Sequence, residues 1–388
     1  MAKKLVVFDL DGTLLDTSIG LNECMNMALS RFNLPPISVA QTKQYVGNGI
    51  LNYVKRATNN ASVNECLQVY NEIYNRSGFE KTAPYSGVNE LIEALSHIES
   101  DDDGIPMLRA NYGVGTLPSA FGVNCRIVNG SMPWCDSVGR EGAQKILSRG
   151  MPDIGEGFGQ KVLDTYAFYK EQLSAYPKCK QAIKLYHPDY QGPFDVAHLI
   201  FGADIYMELY DDPDFVCDLM QLISQTYVRN LKVIKPLIQD ENEGFVYHWG
   251  HLFPGRVVLR DDSAVNLSKD MYNEFIAPFN NQILSEFGSG SVHFCGRADQ
   301  WVFEMAKQPR VLGYNIGYMS DLVFGEEYLD FIKHAYYDNE KPVVGYFLSQ
   351  KDFERFDFKK YNTGVSYNLW VQDLTQAEQK LEIIKNKK

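Results

Sequence analysis

Residues 257–295, VVLRDDSAVNLSKDMYNEFIAPFNNQILSEFGSGSVHFC, hold the pattern that decides the fold. Residues 257–259 and 291–295 are short apolar runs of strand length. Between them, residues 268–287 repeat apolar side chains at three- and four-residue steps, which reads as a helix. Strand alternating with helix implies a parallel sheet. The alternation continues in both directions. Further candidate strands are 105–111, 125–128, 196–201, 311–316, 342–347 and 364–369, and 211–234 reads as another long helix. About eight strands in the part of the chain from 101 to 388 fit a closed (β/α)8 TIM barrel.

Before residue 101 the texture differs. Residues 5–10, LVVFDL, form an apolar strand closed by Asp11-Gly12. From 17 to 98 the pattern is helical, with Gly47, Gly49, Pro84 and Gly87 as punctuation and an acidic turn at Asp101-Asp102-Asp103-Gly104 as its end. The expectation is an α/β chain in two parts: a mostly helical module with one short strand over 1–100, and a TIM barrel over 101–388.

The 388 residues include 45% hydrophobic and 22% charged side chains, as in ordinary folded proteins rather than disordered ones. Lys and Arg number 37 against 49 Asp and Glu, a net charge of −12 that argues against a nucleic-acid partner. Seven scattered cysteines with no C-x-x-C fit a reducing compartment better than a disulfide framework. The apolar runs are too short for a membrane span, and the start of the chain does not read as a signal peptide. The expected location is the cytoplasm, with no membrane partner.

Phe8-Asp9-Leu10-Asp11-Gly12-Thr13-Leu14 places two carboxylates two residues apart at a strand end. One carboxylate there can attack phosphorus, while the other handles the leaving-group proton and a magnesium ion. This stretch, with Tyr45-Val46-Gly47-Asn48-Gly49 and Ala83-Pro84-Tyr85-Ser86-Gly87-Val88, resembles the haloacid dehalogenase-like hydrolases, and the phosphoglycolate phosphatase branch in particular. The resemblance implies Asp9 as nucleophile, Asp11 as general acid/base and Mg²⁺ as cofactor, and it ends near residue 98. Ala110 stands where that family needs a hydroxyl, and no convincing lysine motif follows. The expectation is an incomplete module, loosely packed or docked on the barrel without catalysing anything; a magnesium-dependent phosphatase is the alternative.

From about 101 onward the chain resembles the uroporphyrinogen decarboxylase superfamily of decarboxylases and corrinoid-dependent methyltransferases. The carrying segments are Asp103-Gly104-Ile105-Pro106, Asn111-Tyr112-Gly113, Gly192-Pro193-Phe194, Leu209-Tyr210-Asp211-Asp212-Pro213, Asp261-Asp262-Ser263 with Leu267-Ser268, and His293-Phe294-Cys295-Gly296. Alternate residues of a strand share a face, so His293 and Cys295 reach into one space. Imidazole plus thiolate suits zinc. The methyltransferase branch adds a later cysteine and uses the zinc to activate a thiol. Here no cysteine follows Cys295, so a third ligand would have to be something else, such as His248, His251 or a carboxylate.

Asp261 and Asp262, just after a strand, are the candidate catalytic residues. Arg109 and Arg297 are candidate clamps for substrate carboxylates, with His248 and His251 as further substrate contacts. The implied activity is methyl transfer, or decarboxylation of an anionic, tetrapyrrole-like small molecule, at the barrel mouth. A corrinoid, or a corrinoid protein, is the implied substrate or partner. The arginine-rich segment with which true uroporphyrinogen decarboxylases grip propionates is missing.

Overall fold

A computed structural model describes residues 15–46, 49–78, 81, 83–84, 104–126, 134–317, 325–369, 371 and 374–387. The chain divides into two compact units, Met1–Asp102 with Ile127–Ser131, and Asp103–Arg126 with Met132–Lys388. Among the described residues no helix is long and apolar enough to cross a membrane.

In the smaller unit the helices are α1 (Ser18–Arg31), α2 (Val39–Tyr45), α3 (Ile50–Ala57) and α4 (Val63–Ser77). Ser38 caps α2 in a complete capping box with Gln41. Cys24, Met25, Leu29, Val54, Cys66 and Tyr70 form a core that belongs to this unit alone, so the described helices are not loosely packed. A two-residue antiparallel pairing joins β1 (Leu15–Asp16) to β2 (Ala83–Pro84). The expected strand 5–10, with Asp9 and Asp11, lies outside the described residues.

The larger unit is mixed α/β. Its main sheet has five parallel strands in chain order, β10 (Val258–Arg260), β11 (Gly290–Cys295), β12 (Val311–Gly317), β13 (Val343–Leu348) and β14 (Val365–Leu369). Two more, β3 (Met107–Leu108) and β6 (Lys184–Leu185), pair in parallel with each other. All are separated by helices, as the alternation requires. Their pairings fall into two groups among the described residues, so the described ladders do not close into a barrel.

Three expectations change. Residues 196–201 are not a strand but lie in the helix Pro193–Phe201. Pro193 fits the first helical turn, where no N–H is needed, and the helix is so deeply buried that it is apolar nearly all round. Of the expected strand 125–128, residues 127–128 lie outside the described residues, and 125–126 do not join the parallel strands. Asn124–Arg126 (β4) pairs antiparallel with Trp134–Asp136 (β5). Lys184–Leu185 was missed because two residues carry no readable period. A three-stranded antiparallel sheet, β7 (Glu241–Asn242), β8 (Phe245–His248) and β9 (His251–Pro254), lies just before β10 in the chain.

Candidate metal centre

Asp262, His293 and Cys295 come together at the C-terminal ends of β10 and β11. One ligand atom from each lies within 4.8 Å of the others. His293 Nε2 is 3.3 Å from Cys295 Sγ and 3.5 Å from Asp262 Oδ1. Tetrahedral bonds of roughly 2.0–2.3 Å to N, O and S separate ligand atoms by roughly 3.3–3.8 Å, so the spacing fits one zinc ion. Asp262 thus offers a carboxylate where the sequence has no further cysteine.

Parallel register builds the site. His293 stands beside Asn315 and Cys295 beside Gly317 on β12. His293 Nδ1 donates to Asn315 Oδ1 at 2.6 Å, which leaves the Nε2 lone pair facing Cys295 and Asp262. The Asn315 amide is itself fixed, because Nδ2 donates to Val344 O at 2.5 Å. A Cβ on Gly317 would lie 2.4 Å from Cys295 Sγ and 2.8 Å from His293 Cε1. Only glycine leaves the pair its room.

Asp262 is held by its backbone and by its carboxylate. Its N–H donates to Asp195 Oδ2 at 2.7 Å, and the Ser263 N–H donates to Asp195 Oδ1 at 2.6 Å. Asp262 Oδ1 in turn accepts the Cys295 N–H at 2.7 Å. Asp195 sits on the Pro193–Phe201 helix, and burial pushes its carboxyl well above the usual range. That helix approaches β10 closely because Gly192 has no side chain: a Cβ there would stand 2.3 Å from Arg260 O. Burial, then the neighbouring Asp262 carboxylate, push the Cys295 thiol up. Burial lowers His293 despite Asp262, so the imidazole is neutral, as a metal ligand must be.

Asp261 faces elsewhere. It is buried, accepts Asn280 Nδ2 at 2.6 Å, and burial pushes its carboxyl up to about 7. His248 is buried beside the centre, not in it: its Nε2 accepts Arg260 Nη2 at 2.9 Å. The His248 ring lies 4.4 Å from Trp249, whose indole is 4.6 Å from His293. His251 Nε2 meets Asn368 Oδ1 at 2.9 Å.

Arg109 and the fully buried Arg260 share one carboxylate. Asp189 takes Arg109 Nη2 at 3.3 Å and pairs with Arg260 Nη1. Arg109 Nη1, Arg260 Nε and His248 Nδ1 are buried without a hydrogen-bond partner among the described residues. Arg297 is half-exposed, paired with Asp299 at 2.6 Å and laid over the Tyr328 ring. Sequence reasoning missed Asn315, Gly317, Asp195, Asp189 and Arg260. The signal was present for Asn315, a polar residue inside the apolar run 311–316.

The haloacid dehalogenase-like hydrolase family matches residues 6–100. A phosphoglycolate phosphatase of Vibrio parahaemolyticus is 33% identical over 24% of this chain and 45% of its own length. That of Nitrosospira multiformis is 31% identical over 24% and 44%. The chain therefore spans less than half the length of these relatives. Among solved structures, a methyltransferase from Methanosarcina mazei superposes with a TM-score of 0.50 at 13% identity, covering 73% of this chain and 80% of that one. The chain thus joins an N-terminal haloacid dehalogenase-like segment to a fold that a methyltransferase shares.

Proposed function

We propose that the larger unit is a methyl-transfer enzyme of the uroporphyrinogen decarboxylase superfamily, with Asp262, His293 and Cys295 as the ligands of a zinc ion. The observation that carries this reading is the O, N and S donor set at ligand spacing, with Gly317 shaped around it, on a fold similar to that of a methyltransferase. On this reading the seven parallel strands are the described part of a (β/α)8 barrel, and the substrate enters at its C-terminal mouth. A zinc ion with three protein ligands keeps a position for substrate and, when bound there, lowers the pKa of a thiol so that it is nucleophilic at neutral pH.

The chain's own residues do the rest. Asn315 holds the His293 tautomer. Asp195 fixes the backbone of Asp262, and so the direction of its carboxylate. Trp249, T-shaped against His293, shields one side of the imidazole from water. Arg109 and Arg260 bring two positive charges to one carboxylate and keep N–H groups in reserve, which supports a small substrate with an anionic tail. The methyl donor proposed is a corrinoid, free or protein-bound.

Elemental analysis together with a methylcobalamin-to-thiol assay tests the reading. The expected result is one zinc per chain and turnover with a small anionic thiol, both lost in the His293→Ala, Cys295→Ala double variant. Unchanged metal content and turnover in that variant would overturn it.

A second reading, phosphoryl transfer from Asp9 with Asp11 and Mg²⁺, rests on the match over residues 6–100. It ranks second because the strand that follows, β3, is paired with β6 of the larger unit. Hydrolysis of small phosphate esters with Mg²⁺, lost in Asp9→Asn, would restore it.

A further inference from the structure

The antiparallel pairing of β4 and β5 sets Cys125 directly opposite Cys135. Their sulfurs are 3.2 Å apart. Opposed residues of an antiparallel pair have Cα atoms about 4.5 or 5.5 Å apart, both within the roughly 4.4–6.8 Å that a disulfide bridges. The two residues flanking Cys125 tie β4 to β5 through one carboxylate: Asn124 Nδ2 donates to Asp136 Oδ2 at 2.8 Å, and Arg126 grips Asp136 at 2.9 and 3.1 Å. Above the sulfurs lies Gly115. A Cβ there would stand 2.9 Å from Cys125 Sγ and 3.4 Å from Cys135 Sγ. The backbone is therefore shaped around both sulfurs, as it is around the pair at Gly317. The proposed metal centre uses neither cysteine.

We propose that Cys125 and Cys135 form a dithiol modification site that small-molecule disulfides convert to an intramolecular disulfide. Either S–H can donate to the other sulfur; donation from Cys125 lowers the Cys135 thiol and makes Cys135 the first nucleophile. Its thiolate attacks one sulfur of the oxidant RSSR, the S–S bond breaks, and RS⁻ leaves and takes up a proton. Cys125, losing its proton, attacks the mixed disulfide at Cys135 and expels the second RS⁻. The balance is two protein thiols and RSSR giving one protein disulfide and two RSH. The protein is oxidised by two electrons, and the small disulfide is reduced.

Arg126 and the chain around it make the test direct. Trypsin yields peptides 110–126 and 127–140, with one of the two cysteines in each. The full chain is treated with oxidised glutathione, its remaining thiols are trapped with iodoacetamide, and the digest is read by mass spectrometry. The expected product is the two peptides joined, lighter than their sum by two hydrogen atoms, and separated by reduction. The exposed Cys179 should carry glutathione in the same sample, which shows that the oxidant was active. In Cys125→Ser, peptide 127–140 should appear alone, with glutathione or the alkyl group on Cys135. Recovery of both wild-type peptides singly, while Cys179 is modified, would overturn the proposal. So would a Cys135 cross-link to another cysteine in Cys125→Ser.

Discussion

At the scale of single residues, the centre is decided by what stands beside it on β12. Gly317→Ala should keep the fold, since the residue ends its strand, yet reduce zinc affinity at least tenfold, because its methyl group would sit in the space of Cys295 Sγ. Competition with a chromophoric chelator measures this; an unchanged affinity would mean that the Cys295–His293 pair does not need the gap. Asn315→Leu removes the acceptor that orients the His293 ring. Loss of such a partner costs roughly 10–100-fold in metal affinity, and Asn315→Asp, which keeps the acceptor, should restore most of it. His293 and Cys295 were legible from the sequence because a two-residue spacing in a strand fixes a shared face. Their partners were not, since only the register of β11 against β12 brings Asn315 and Gly317 alongside. Asp262 stood out in the sequence as a carboxylate just after a strand, but its approach to His293 and Cys295 depends on the turn after β10, which no periodicity describes.

At the scale of elements, the alternation in 257–295 was a sound guide: the strands expected at 257–259, 291–295, 311–316, 342–347 and 364–369 are all present within a residue or two. It failed at 196–201, where a short apolar run suits a buried helix as well as a buried strand. The approach to β13 carries a separate prediction. Lys341, buried just before β13 in the chain, donates to Gln308 O at 2.6 Å, one residue past the helix Val302–Lys307. Burial lowers its ammonium to about 8 from a usual 10.5. The folded state therefore binds the proton less tightly than the unfolded chain, and its stability rises as the pH is raised from 8 to 10.5. Lys341→Met should be more stable than wild type by about 1–2 kcal/mol at pH 7, a discounted share of what the shift allows. That advantage should shrink across pH 8 to 10.5 in denaturant titrations. A constant difference would show that packing, not the buried charge, sets it.

At the scale of the whole molecule, two units with separate cores predict two unfolding events. A metal held by the larger unit stabilises that unit alone, by roughly 2.7 kcal/mol when free zinc stands at 100 times its dissociation constant. Calorimetry of the full chain should show two transitions, and a chelator should lower only one of them, by several degrees. The transition that moves identifies the unit that holds the ion. In His293→Ala, Cys295→Ala it should already lie at its metal-free position and no longer respond to the chelator. Asp9→Asn should leave both transitions and methyl transfer unchanged, because residues 6–100 belong to the unit without the Asp262–His293–Cys295 centre. A single transition lowered as a whole by the chelator would show instead that the two cores unfold as one, and that the N-terminal segment is part of the enzyme's working fold.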